Sequence, residues 1–177
     1  MSNTYCVAVR RGIDDWNKHY HDNEYGYPLR ADNELFERLI LEINQAGLSW
    51  LTILKKSEAF KQAYDGFALD RVAAYGEADR ARLLADAGII RNRLKVNAAI
   101  ENANRILALG GIAQWLDAHH PRDLAEWTKL FKKTFVFTGG EIVREFLIST
   151  GYLDGAHDEE CPVFQKVAKQ RPPWMRS

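Results

Sequence analysis

His157 and Cys161 stand four residues apart in the acidic segment His157-Asp158-Glu159-Glu160-Cys161, and both side chains are competent zinc ligands. Four residues is one helical turn, a spacing that lets both converge on one ion. A second pair would complete a tetrahedron, and Cys6 and His21, near the other end of the chain, supply the thiolate and imidazole that zinc prefers. Four protein ligands leave no open position for water, so such a site is structural rather than catalytic, and the same ligand count speaks against a zinc hydrolase. By composition alone His19, His119 and His120 are equally available. The pattern is also met by Cys6 as a small buried apolar residue and His157 as a surface histidine in an acidic loop. His119-His120-Pro121 reads as a loop.

Glu42 lies on the apolar side of a strongly hydrophobic segment, shortly before a turn at Gly47. Burying a carboxylate there costs free energy that a function would explain, whereas an ordinary helical Glu is solvated and an ordinary Trp such as Trp50 is core. At Ala87-Gly88-Ile89-Ile90-Arg91-Asn92-Arg93, a glycine-bounded turn runs into basic residues, with Lys95 adding to the local charge. Such a turn either is merely solvated or offers backbone N–H groups and cations to a phosphate without reading sequence.

The elements that must carry these groups are helical. Residues 32–46 place apolar side chains at 35, 36, 39, 40 and 43, with an Asp at the cap and Gly47 just past the end. Ser49 caps a second helix over 50–64, so the two form a hairpin. Further helices are predicted at 70–75, 77–87, 92–108, 123–133, 139–149 and 161–169. Phe135-Val136-Phe137 does not amount to a sheet, and the fold class is all-α.

At 177 residues, with 46% hydrophobic content and no repeat or low-complexity linker, the chain is predicted to fold as one domain over 1–177. Twenty-four basic and 24 acidic residues cancel, so any DNA-binding surface must be local. The sequence contains neither a signal peptide nor a run of about 18 apolar residues for a membrane helix, and predicts a cytoplasmic protein without membrane association. In a reducing compartment two distant cysteines favour free thiols or metal ligation over a disulfide.

Three segments resemble the DNA-3-methyladenine glycosylase I family: Tyr20-His21-Asp22-Asn23-Glu24-Tyr25-Gly26, Leu41-Glu42-Ile43-Asn44-Gln45-Ala46-Gly47-Leu48-Ser49-Trp50, and Asp86 through Arg93. The terminal His-x-x-x-Cys is a fourth, and the resemblance spans about residue 5 to residue 164. It implies a compact helix-hairpin-helix glycosylase fold whose N- and C-terminal segments are tied by structural zinc on Cys6, His21, His157 and Cys161. It also implies that Tyr20 and Trp50 sandwich a methylated base while Glu42 reads its exocyclic amine edge. Leu48 is implied as the plug for the space left by a flipped nucleotide, and Gly88, Ile89, Arg91 and Arg93 as the phosphate-binding hairpin.

The implied activity is base-excision repair, hydrolysing the N-glycosidic bond of 3-methyladenine in alkylated double-stranded DNA, with no obligate protein partner. N3-methylation makes the attached adenine cationic, so a desolvated anion and electron-rich rings favour it over the normal base, and the same charge weakens the glycosidic bond. This sequence departs from the family pattern at the pocket rim: Ala8 and Tyr25 replace two Trp, and Gly140-Glu141 replaces Thr-Thr. The loop around His119-His120-Pro121 is shortened. Glu141 either adds negative charge near the pocket or faces solvent. These departures keep two alternatives open, a relative with altered base specificity and a zinc-stabilised DNA-binding module without chemistry.

Overall fold

The computed structural model describes residues 4–176, and among them no strand occurs. The helices, in chain order, are α1 (Thr4–Arg10), α2 (Asp15–Asn23), α3 (Asp32–Gln45), α4 (Trp50–Ala63), α5 (Leu69–Ala73), α6 (Glu77–Ala85) and α7 (Arg93–Ala108). Then follow α8 (Ile112–His119), α9 (Leu124–Thr134), α10 (Gly140–Ser149) and α11 (Pro162–Lys169). The all-α expectation is met. The short helices α1, α2 and α8 were not anticipated; α8 absorbs His119, leaving His120-Pro121 in the connection.

Helix α3 is the axle. Leu35, Phe36, Leu39, Ile40 and Ile43 are fully buried, and the helix packs against α4, α7, α8 and α10. Trp127 and Phe131 of α9, Phe146 of α10, and Val96, Ala99 and Ala103 of α7 belong to the same buried core, with α9 packed on α10. Burial of side chains this size contributes roughly 1.5–3 kcal/mol apiece, which is why a helix so poor in polar residues at its centre can be specified by packing alone.

Ser49 caps α4 as the sequence indicated, its side chain accepting the N–H of Thr52 at 3.2 Å. Asp32 does not cap α3: the carboxylate accepts the N–H of Ala113 at 2.8 Å, in the first turn of α8. The carboxylate approaches Gly111 so closely that a Cβ there would stand 2.6 Å from Asp32 Oδ2, and Gly111 has φ +117°. Glycine is therefore required by space as well as by backbone angle.

Between α3 and α4, the turn Ala46–Ser49 is opened by Gly47 at φ +80°. Lys95, read from the sequence as surface charge, is instead buried in α7, and its ammonium donates to the carbonyls of Asn44 and Ala46 at 2.8 and 2.7 Å. It satisfies carbonyls left open at the end of α3 and complements the negative end of that helix. The partners lie about fifty residues upstream, which is why local sequence hid the burial.

Candidate active site and metal centre

Helix α2 delivers adjacent residues to two different places: Tyr20 faces a cavity beside α3 and α4, and His21 faces a cluster between the chain ends. In that cluster the ligand atoms of Cys6, His21, His157 and Cys161 lie within 4.8 Å of one another, all four side chains being buried. His21 Nε2 is 3.4 Å from Cys6 Sγ and 3.2 Å from His157 Nδ1; Cys161 Sγ is 3.9 and 4.0 Å from those two nitrogens. Bond lengths of about 2.0 Å to nitrogen and about 2.3 Å to sulfur give tetrahedral edges of roughly 3.3–3.8 Å, so the spacings fit one ion.

The outer nitrogens are already committed. His21 Nδ1 is 2.8 Å from the Asp22 carboxylate and His157 Nε2 is 2.7 Å from the Tyr25 carbonyl, so each donates outward and turns a lone pair inward. The backbone N–H of Asp158 approaches Cys6 Sγ at 3.5 Å, a contact suited to a thiolate. Burial, with Cys161 and the Asp158 carboxylate adding to it and the Asp158 N–H working against it, pushes the Cys6 thiol up to about 11, so a nearby cation would be needed to keep it ionised. The donor set, with its outer nitrogens held by Asp22 and the Tyr25 carbonyl, fits a metal with four protein ligands. One expectation is corrected: residues 157–161 form a turn ahead of α11, not a helical turn, and it is the Cys161 N–H to Asp158 O bond that brings the pair together.

The second site is a cavity of about 570 Å³ lined by Tyr20, Tyr25, Glu42, Trp50, Arg144 and Glu145 among others. Glu42 is 4% exposed, and no hydrogen bond from the described residues reaches its carboxylate. Desolvation pushes its pKa up to about 8, with Arg38 pulling it down and Glu145 adding to the upward push. The hydroxyl of Tyr20 and the indole N–H of Trp50 are also buried without a partner among the described residues. Two buried polar groups beside the cavity thus lack the partners that such groups ordinarily have, and the Glu42 carboxylate is open to the cavity.

Tyr20 and Trp50 meet at 5.1 Å between ring centroids with planes inclined by 58°. They form a corner rather than an open slot, so a base must part the rings to be sandwiched or must stack on one of them. Tyr25 joins Tyr20 at 5.7 Å and extends the aromatic wall. Behind Tyr20, the guanidinium of Arg38 lies 5.2 Å over the ring, donates to the Ser149 carbonyl at 3.2 Å and approaches Glu24 at 3.7 Å. Sequence reasoning passed over Arg38; its signal was the four-residue spacing from Glu42, which puts both on one face of α3.

Glu141 is exposed, with its side chain 89% accessible, and does not line the cavity; the carboxylate of α10 that does is Glu145, which the sequence reading did not single out. Ala8 lies in α1 and is not part of the wall.

Leu48 is exposed at the tip of the Ala46–Ser49 turn, beside the pocket residue Gln45, whose amide donates to the Leu48 carbonyl at 2.9 Å. The predicted hairpin lies between α6 and α7. Arg91 and Arg93 are exposed there, Ile89 is buried, and Asn92 caps α7. The N–H of Gly88 donates to Asp86 Oδ1 at 2.7 Å and so shapes the loop, with the two arginines exposed beyond it.

A family model described as methyladenine glycosylase matches residues 11–123. DNA-3-methyladenine glycosylase 1 of Escherichia coli K12 is 49% identical over 90 residues, an alignment covering 51% of this chain and 48% of that protein. DNA-3-methyladenine glycosylase of Haemophilus influenzae Rd is 32% identical over 166 residues, covering 81% of this chain and 89% of that one. Among solved structures, a tyrosine-to-phenylalanine variant of 3-methyladenine DNA glycosylase I in complex with 3-methyladenine superposes with a TM-score of 0.78 at 31% identity, over 88% of this chain and 96% of that one. The Staphylococcus aureus enzyme, described for its 3-methyladenine recognition, superposes with a TM-score of 0.79 at 29% identity, over 92% and 97%.

Proposed function

This chain belongs to the methyladenine glycosylase family, and from that footing we propose that it is a single-domain base-excision repair glycosylase that releases 3-methyladenine from alkylated duplex DNA. The observation that carries the reading is Glu42, a desolvated carboxylate without a hydrogen bond from the described residues, facing a cavity walled by Tyr20, Tyr25 and Trp50. A flipped cationic base supplies what this cavity lacks: positive charge for Glu42, hydrogen-bonding edges for Tyr20 and Trp50, and a π-face for the rings.

Because the glycosidic bond is already weakened by the positive charge, the protein's task is to hold the base and orient it. The bond breaks with its electron pair moving to the purine, and water adds to the sugar carbon as it loses a proton. Free Glu42 titrates at about 8, so kcat/KM for the cationic substrate should rise with pH through that value and then level off. Leu48 fills the vacated space, while Arg91 and Arg93 at the start of α7 hold phosphates.

The metal is zinc, and its part is structural: bound to Cys6, His21, His157 and Cys161, it would supply a fixed four-way junction between α1, α2 and the segment before α11. Two thiolate ligands suit a reducing compartment, in keeping with a cytoplasmic protein. The test is release of free base from alkylated duplex, wild type beside Glu42→Gln, with products separated chromatographically. Release of 3-methyladenine by the wild type and its loss in the variant is the expected result. A folded, metal-loaded wild type that releases no base would overturn the reading.

A further inference from the structure

The cavity contains two carboxylates, and the foregoing reading uses only one. Glu42 enters from α3 and Glu145 from α10. Glu145 is held at both oxygens: Arg144 Nη1 lies 2.7 Å from Oε1, and the Tyr25 hydroxyl donates to Oε2 at 3.4 Å. Tyr25 is also the rim position at which this sequence departs from the family's Trp, and an indole has no hydroxyl to place there. The rim change and the second carboxylate are thus one structural unit.

We propose that Glu145 is a specificity-determining residue, the second of two carboxylates that together make the pocket prefer a cationic alkylated base over a neutral one. The proposal rests on the glycosylase reading. Charge is the property that separates an N3-alkylated purine still joined to its sugar from every normal base, and in a water-poor cavity the attraction of an anion for it is stronger than in bulk solvent. The two acids line one cavity, Glu145 adds to the upward push on Glu42, and a cation bound between them would relieve that repulsion. After hydrolysis the bonding pair returns to the purine, so the released base is neutral and the same two acids hold it less.

The surrounding charges are consistent with this. Glu42 is faced by Arg38 on its own helix, Tyr20 from α2 and Glu145 from α10; Arg38 is shared with Glu24. Glu145 is faced by Arg144 and Glu141 on its own helix and by Tyr25. Desolvation raises both acids, so in each the anionic form is the one the pocket disfavours and a bound cation would favour.

The experiment compares two small probes at neutral pH by quenching of tryptophan fluorescence: 3,9-dimethyladeninium, a permanent cation that mimics the glycosylated base, and 3-methyladenine, its neutral counterpart. The wild type should bind the cation more tightly. Glu145→Gln should lose about tenfold for the cation and less than about twofold for the neutral base. Tyr25→Phe should move the ratio in the same direction by less, and Arg144→Gln, which frees Glu145 of its counter-ion, should move it the opposite way. Equal losses for both probes, or an unchanged ratio in Glu145→Gln and Arg144→Gln, would overturn the proposal. Base release from alkylated duplex is measured alongside. Release without a cation preference sinks this inference alone; cation preference without release sinks the glycosylase reading and leaves the charge selection standing.

Discussion

Two buried polar clusters begin at neighbouring residues of α2 and differ in one respect. Around His21, the two outer histidine nitrogens have partners at 2.7 and 2.8 Å, and the four candidate ligand atoms already converge. Around Tyr20, the hydroxyl of that residue, the Trp50 indole and the Glu42 carboxylate have no hydrogen-bond partner among the described residues. The first arrangement suits an occupant that stays, with every supporting bond made in advance. The second suits an occupant that arrives with its own hydrogen-bonding groups and leaves, and until then the protein carries the cost of two unsatisfied buried groups and a desolvated carboxylate. Stability is concentrated in one cluster and spent in the other.

The largest effect that would sharpen this contrast is on excision. Glu42→Gln should lower single-turnover base release by at least about a hundredfold, the scale of a lost transition-state charge interaction. The same variant should be more stable than the wild type at high pH. The pKa of folded Glu42, about 8, lies above its unfolded value, so protonation favours the fold. That stability is complete below the unfolded value near 4.5 and is lost as pH rises through about 8. Thermal melts should therefore coincide near pH 4 and separate by a few kcal/mol above pH 8, with Gln the higher. Coincident melts at every pH would place Glu42 in a solvated site and erase the distinction between the clusters.

The opposite signature belongs to the metal cluster. Cys6→Ser, or stripping with a chelator, should lower stability by several kcal/mol and raise amide exchange in α1 and before α11 together, with the α3 core protected. Exchange confined to one end would mean that the cluster does not join them. Smaller in scale, Trp50→Ala should weaken binding of free 3-methyladenine by roughly 1–3 kcal/mol; unchanged affinity would make the Tyr20–Trp50 corner a core contact only. Smallest is Arg91→Ala with Arg93→Ala, for which duplex affinity should fall and the salt slope decrease by about 2, with free-base binding untouched. An unchanged slope would move the duplex surface elsewhere.

What the sequence made legible follows from range. Helices α3 and α4 were readable because their apolar period, the Ser49 cap and Gly47 are all local. Helices α1, α2 and α8 are short, and α2 is polar along most of its length, with Tyr20 on the cavity and His21 in the Cys/His cluster rather than in the main apolar core. Asp32 looked like a cap and is one, but for α8, about eighty residues away. The four candidate ligands do come together in one buried cluster, although the segment that assembles His157 with Cys161 is a turn where the spacing suggested a helix. Glu145 was missed because, beside Arg144 in an amphipathic helix, it has the local pattern of a solvated ion pair, and only the approach of Tyr25 from another segment distinguishes it.

Lys95 carries one further consequence. Its ammonium is bonded to the carbonyls of Asn44 and Ala46, so the start of α7 and the turn bearing Leu48 are two jaws of a single calliper whose gap is set by buried hydrogen bonds. A duplex gripped at Arg91 and Arg93 would meet Leu48 at a fixed offset along its axis, and the nucleic acid, not the protein, would have to bend or unstack to match. Lys95→Met tests this: duplex affinity largely kept, with a steeper loss of base release, is the mark of a gauge that has lost its setting, and parallel losses would show the lysine to be ordinary support.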